Sequence, residues 1–228
     1  MNKFCLFALF IAVASANMVA DMGSVISSES AKCLVGKNVR KVVLAIADQA
    51  GTVNKDFPSL SSIAKDAGIL SVDALLTVNS TIIPTEISAS VAAALPSDFN
   101  GTVWLEVLYD LSLWRLAQED RISYLESLVE AFKDEGLQVG IYSRIEAWEV
   151  VFGKKKAGSD TLKSVPLWYT SYDEVASFFG FAVYSFGTWT EPSRKSFGMG
   201  TWDCNNTIRT YNYEESQSEI LRMRKFLF

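Results

Sequence analysis

Apolar residues are spaced along this chain in two alternating ways. Short runs of near-continuous apolar character at 42–47, 72–78, 102–108, 138–143, 166–171 and 182–186 read as strands buried on both faces. Between them, apolar positions recur every three or four residues. Ile122, Leu125, Leu128, Val129 and Phe132, followed by Gly136 as a stop, predict a helix over 119–135. Further helices are predicted over 27–34, 59–67, 86–94 and 143–152, and a first strand runs from Asn17 toward Asp21. Strands alternating with helices are the signature of βα units around a parallel sheet. The count falls short of eight clean units, so periodicity supports an α/β fold and only leans toward a barrel.

The first sixteen residues belong to a different pattern. Lys3 supplies a basic start, Phe4 to Val13 an apolar stretch, and Ala14-Ser15-Ala16 a small-residue cleavage site, so 1–16 reads as a secretory signal peptide. Residues 17–228 then form one domain, with no linker or low-complexity stretch dividing them. No later segment is apolar for long enough to span a bilayer. The expected location is extracellular, or a lysosome-like digestive vacuole. Of three cysteines, Cys5 leaves with the signal, and Cys33 and Cys204 remain in a compartment where disulfides persist. Asn79, Asn100 and Asn205 each open an acceptor sequon, and the alternative for each is an unmodified polar turn.

Charge and residue types exclude several chemistries. The net charge is −5, an acidic balance that argues against a nucleic-acid partner. There is no histidine, which removes Ser-His-Asp and Cys-His nucleophiles and any histidine-bearing zinc site. No phosphate-cradling glycine loop is present, and neither cofactor nor metal is expected. Lys154-Lys155-Lys156 reads as a solvated loop, or as a patch that attracts anionic bacterial surface polymers.

Two segments carry more specific information: Gly140-Ile141-Tyr142-Ser143 followed by Glu146-Ala147-Trp148-Glu149, and Leu167-Trp168-Tyr169 leading to Phe186-Gly187-Thr188-Trp189-Thr190-Glu191-Pro192-Ser193. They resemble the second half of a lysozyme of the glycoside hydrolase family 25 type, in the small secreted branch found in protozoa and nematodes. The resemblance implies an irregular TIM-like (βα) barrel in which chemistry sits at the C-terminal ends of the strands. It also implies that Cys33 and Cys204, in neighbouring first and last units, form a disulfide, the alternative being two free buried thiols.

Glycosidic cleavage needs an acid for the leaving oxygen and a second carboxylate, or the substrate's own acetamido group, for the developing positive charge. The family places an aspartate on the first strand, Asp-x-Glu on the fourth with the glutamate as acid, and an aspartate near the last strand. Met18-Val19-Ala20-Asp21-Met22-Gly23-Ser24 resembles the family's opening, so Asp21 matches the first carboxylate. In Trp104-Leu105-Glu106-Val107-Leu108, Glu106 stands for the aspartate and Leu108 for the acid. Gly200-Thr201-Trp202-Asp203-Cys204 matches the family pattern, but Arg209 stands where a last aspartate is usual. Strand alternation points Glu106 and Leu108 to the same side. From the two positions matched to the family, an Arg209–Glu106 ion pair is one expectation. Rescue of the missing acid by Glu106, with Asp110 or Asp48 nearby, is another.

Tyr142, Trp168, Tyr169 and Trp189 match aromatic positions of the family and are the expected glycan-stacking residues, although aromatics on buried strands are more often core. Trp148 is expected in a helix. The implied function is hydrolysis or binding of bacterial peptidoglycan or a related glycan, in antibacterial defence or digestion, by a monomer. The alternatives are a catalytically inactive glycan-binding immune effector on the same barrel, and a barrel kept for an unrelated protein partner.

Overall fold

A computed structural model describes residues 17–214. The expected signal peptide at 1–16, Cys5 included, lies outside the described residues. Eight strands, β1 (Asn17–Asp21), β2 (Val39–Ala47), β3 (Ser71–Thr77), β4 (Thr102–Glu106), β5 (Gln138–Ser143), β6 (Leu167–Thr170), β7 (Arg194–Asp203) and β8 (Asn206–Glu214), close a barrel in chain order. Neighbours from β1 to β7 run parallel, whereas β8 is antiparallel to both β7 and β1. The α/β barrel implied by the resemblance is the fold, irregular in its last strand.

The connecting helices are α1 (Ser28–Gly36), α2 (Phe57–Asp66), α3 (Pro84–Ala94), α4 (Arg121–Asp134), α5 (Ile145–Phe152) and two single turns, α6 (Asp160–Lys163) and α7 (Phe181–Tyr184). Their starts follow local chemistry. Ser27 caps α1 by accepting from the Ser30 amide at 3.1 Å, and α2 and α3 carry proline in the first turn, where no amide is needed. One stripe of each longer helix is buried against the sheet, as Leu125, Leu128, Val129 and Phe132 are on α4.

Two sequence expectations are corrected. Residues 182–186, expected as a strand, are the last three residues of α7 and its exit. Gly180, at φ 95°, turns the chain into one helical turn that buries Phe181 against Tyr169 and leaves Val183 exposed, a helical rather than alternating burial pattern. The true last strands, β7 and β8, were not anticipated. Their inward positions are polar (Arg194, Ser196, Thr210 and Asn212), so no apolar alternation marks them.

Inside the barrel, Val19, Val43, Leu75, Trp104, Tyr142 and Trp168 form their own apolar layer, separate from the larger core between sheet and helices. Gly140 is required there: a Cβ at that position would stand 2.6 Å from the Trp104 ring. Beneath this layer the floor is ionic. The fully buried Arg194 pairs with Asp73 and Glu214, and its guanidinium lies 4.6 Å from the Trp104 ring and 4.8 Å from that of Trp168. Asp73 also accepts from the Trp104 indole and the Thr102 amide, both at 3.0 Å, and Lys41 reaches Glu214 at 3.0 Å. Burial pushes the Asp73 carboxyl up, but Arg194, Lys41 and the Thr102 amide outweigh it and hold the group below the ordinary range.

Cys33 on α1 and Cys204 in the turn between β7 and β8 are joined by a disulfide, with Cα atoms 5.5 Å apart. Beside it, Lys37 and Asp203 form an exposed ion pair at 2.6 Å. The first and last units of the barrel are thereby tied covalently across its seam.

Candidate functional site

The upper ends of β4, β5, β6 and β8 frame a cleft of about 240 Å³. Glu106, Tyr142, Thr170 and Thr210 form its base, Leu108, Tyr109, Arg144 and Tyr172 its rim, and Arg209 crosses it. Position on the strand explains the set: each rim residue stands one to three residues past a strand end, where barrel clefts draw their side chains.

Three charged groups meet at the base. Arg209 donates through Nη2 to Glu106 Oε1 at 2.9 Å, and its Nε lies 3.7 Å from Asp21 Oδ2. Thr77 donates to the other Glu106 oxygen at 2.9 Å. The Arg209–Glu106 pair expected from the aligned positions is therefore present, with both carboxylates nearly fully buried and the arginine partly open to solvent. Asp21 Oδ1 accepts from the Gly23 amide at 3.1 Å, while Oδ2 has no hydrogen-bond donor. Burial pushes the Asp21 carboxyl up to about 6, with Arg209 and the Gly23 amide opposing and Glu106 adding to the rise. The opposite charges of Asp21 and Glu106 raise the Arg209 guanidinium further above its usual range than burial lowers it.

β4 ends at Glu106, so Leu108 lies just beyond the strand, half-buried, among the residues that line the cleft. At the position of the family's acid, the cleft therefore presents a hydrocarbon. Neither Asp48 nor Asp110 lines the cleft to replace it. Asp48 accepts the amides of Ala50 and Thr52, and Asp110 accepts that of Ser112, each capping its own turn.

Of the four aromatic residues expected to stack on glycan, only Tyr142 lines the cleft. Its ring stacks on Trp168 at 3.9 Å between centroids, and its hydroxyl accepts from Thr170 at 3.3 Å. Trp168 is fully buried inside the barrel, its indole N–H shared between Ser196 and Asn212 at 2.8 and 3.1 Å. Tyr169, its neighbour on β6, points to the opposite face and packs against Phe181 and Phe178. Trp189 packs against Trp148 and Phe186 and donates to the Val165 carbonyl at 2.8 Å. Burial leaves these three no open ring face, so they serve the core, as Trp148 does. The cleft's other aromatic rings are Tyr109, with the Arg144 guanidinium 4.9 Å above it, and Tyr172, a non-glycine residue at φ 28°.

The three sequons differ in their surroundings. Asn100 is exposed ahead of β4, and Asn205 is exposed at the tip of the β7–β8 turn. The Asn79 amide already donates to the Gln49 carbonyl at 2.8 Å and accepts from Thr81.

Comparison with known proteins agrees with this architecture. A family profile described as lysozyme-like protein 1 matches residues 12–197. Counting factor 50 of Dictyostelium discoideum is 30% identical over 190 residues, a match covering 80% of this chain and 60% of that protein. Probable GH family 25 lysozyme 2 of the same organism is 29% identical over 194 residues, covering 84% and 88%. Among solved structures, a muramidase from Acremonium alcalophilum superposes with a TM-score of 0.68 at 13% identity, over 90% of this chain and 96% of that one, a likeness of fold. A barrel with carboxylates at its strand ends and a family profile spanning most of its length place this chain in the lysozyme-like protein 1 family, of the glycoside hydrolase family 25 type.

Proposed function

We propose that this protein is directed to bacterial cell-wall peptidoglycan or a related glycan and that its cleft binds the glycan rather than cleaving it efficiently. The observation that carries this reading is the Glu106–Arg209 pair together with Leu108. The one carboxylate on the cleft is engaged by a guanidinium, and the acid's position has no proton to give. Loss of a general acid costs roughly 10²–10⁴-fold in rate. Tyr109 and Tyr172 supply exposed ring surface and Arg144 a hydrogen-bond donor for a polar sugar. The names of the relatives, lysozymes and a muramidase, support the substrate class.

A second reading, retained hydrolysis, is favoured by one observation. Asp21, whose carboxyl burial pushes up to about 6, stands beside Glu106, and a pair of neighbouring carboxylates is the usual equipment for glycosidic acid–base work. In both readings the protein is secreted or delivered to a digestive vacuole, acts as a monomer in defence or feeding, and carries glycans at exposed sequons. No helix among the described residues is long and apolar enough to cross a membrane.

The deciding experiment measures reducing-sugar release from purified peptidoglycan by wild type and Glu106→Gln from acidic to neutral pH, beside a peptidoglycan pull-down. Retention on peptidoglycan without release supports binding. Release by wild type that is lost in Glu106→Gln makes Glu106 an essential carboxylate and the protein a working lysozyme. The absence of both retention and release removes the glycan reading.

A further inference from the structure

The chain between β6 and β7 leaves the barrel wall and presents apolar side chains to solvent. Phe179 is 90% exposed, Val183 69% and Val175 51%. Phe179 and Val183 flank a single tight turn, closed by the Val183 amide donating to the Gly180 carbonyl at 2.9 Å. A fully solvated phenylalanine next to an exposed valine contributes nothing to the core. The neighbouring Phe178 and Phe181 turn inward onto Tyr169 and anchor the excursion.

Beside this apolar tip stands the lysine triad. Lys155 Nζ donates to the Val183 carbonyl at 3.2 Å, and Lys156 Nζ donates to Ser185 Oγ at 3.2 Å, so both ammonium groups lie within two residues of Val183. Each bond uses one of three ammonium protons and none of the charge. Lys154 is exposed next to them. The excursion's own carboxylates sit toward its two ends, Asp173 and Glu174 at the start and Glu191 near the finish, and Asp173 is neutralised by the buried Lys195 at 2.7 Å. A protein of net charge −5 thus sets two lysine ammonium groups against the turn that carries Val183, with a third lysine exposed next to them in sequence.

We propose that Phe179, Val183 and Lys154 to Lys156 form a peripheral docking surface for an anionic phospholipid bilayer. The lysines supply attraction to lipid phosphates, and the aromatic and aliphatic tip inserts among the headgroups and acyl chains. A hydrated polyanion would engage the lysines alone and leave Phe179 without a role, which is why the bilayer is the better fit. The surface lies off the cleft, so it holds the protein at a membrane while the cleft remains open.

Vesicle co-sedimentation of the mature protein tests this, with mixed phosphatidylcholine–phosphatidylserine vesicles beside pure phosphatidylcholine. Wild type is expected to sediment with the mixed vesicles at low salt, weakly with the neutral ones, and to be released by high salt. Lys154→Gln/Lys155→Gln/Lys156→Gln, which retains N–H donors for the Val183 and Ser185 contacts, should lower partitioning by about fivefold per lysine and by on the order of 100-fold in all. Phe179→Ser/Val183→Ser should lower it at least tenfold with salt dependence retained. Circular dichroism and unchanged thermal melting verify that both variants fold. No preference for the mixed vesicles, or binding that soluble polyphosphate abolishes and the Phe179→Ser/Val183→Ser variant leaves unchanged, would overturn the proposal.

Discussion

Arg209 Nη2 stands 2.9 Å from Glu106 Oε1, so a cation from the last strand neutralises the carboxylate that ends the fourth. The same guanidinium is the near neighbour of Asp21, and its removal leaves two buried carboxylates with no cation at the cleft base. Breaking a buried pair by removing one partner costs about 3–5 kcal/mol, and the partial exposure of Arg209 reduces the expectation to about 1–3 kcal/mol for Arg209→Ala. Urea unfolding near neutral pH should show that loss, and Glu106→Gln in the same background should recover most of it. Additive losses in the double variant would show that the two residues are not coupled.

Restoring the acid addresses the cleft directly. Leu108 and Glu106 share the cleft, so Leu108→Glu places a carboxyl where the family's acid stands, and Arg209→Asp in addition restores the last aspartate. The double variant should release reducing sugar from peptidoglycan roughly 10²-fold faster than wild type. Unchanged release from a variant still retained on peptidoglycan would mean that the cleft does not present the glycosidic bond to position 108.

The floor of the barrel gives a prediction about stability. Arg194 is fully buried between Trp104 and Trp168 and pairs with Asp73 and Glu214. Arg194→Ala should cost at least about 3–5 kcal/mol, because Asp73 is left charged in the interior. Arg194→Met/Asp73→Asn, which removes both charges and keeps bulk between the rings, should cost less than the sum of its parts. Thermal melting of the four proteins checks the cycle.

Asp21 gives the pH dependence. Its folded-state value is raised from 3.8 to about 6, so between those values the folded protein holds a proton that the unfolded chain has released. This group's contribution therefore falls as pH rises from about 4 to 6 and is flat above, a swing on the order of 3 kcal/mol at most. Asp21→Asn removes the swing. Relative to wild type, that variant should gain stability as pH is raised across this window, which denaturant titrations at pH 4 and pH 7 compare. A pH-independent difference would mean that Asp21 titrates normally in the folded state.

Much of the barrel was legible because β2 to β6 are buried on both faces and their composition says so. β7 and β8 were not, since Arg194, Ser196 and Asn212 face the interior and imitate a polar loop. The ionic floor has no signature in sequence at all: Asp73 and Arg194 are brought together only by closure of the sheet. At the cleft, the Glu106–Arg209 pair was readable from two aligned positions. The aromatic assignments failed for a geometric reason, because family resemblance matches residue types and says nothing about which face they occupy. Trp168 and Tyr169 are adjacent on one strand and must point in opposite directions, so a groove on one side can receive at most one of them. Tyr109, Arg144 and Tyr172 were overlooked on the rim, although their places just past strand ends were the available clue.

The link between Cys33 and Cys204 encloses 171 residues of separation and nearly the whole set of βα units. In the unfolded chain, closing a loop of that length removes entropy worth about 5 kcal/mol, and loss of such a bridge typically costs about 2–5 kcal/mol. Its topology also matters for endurance. A protease that nicks any one loop between those cysteines leaves two pieces still held by a covalent bond, so a first cut does not let the fragments diffuse apart. The barrel keeps its parts together through that first wound.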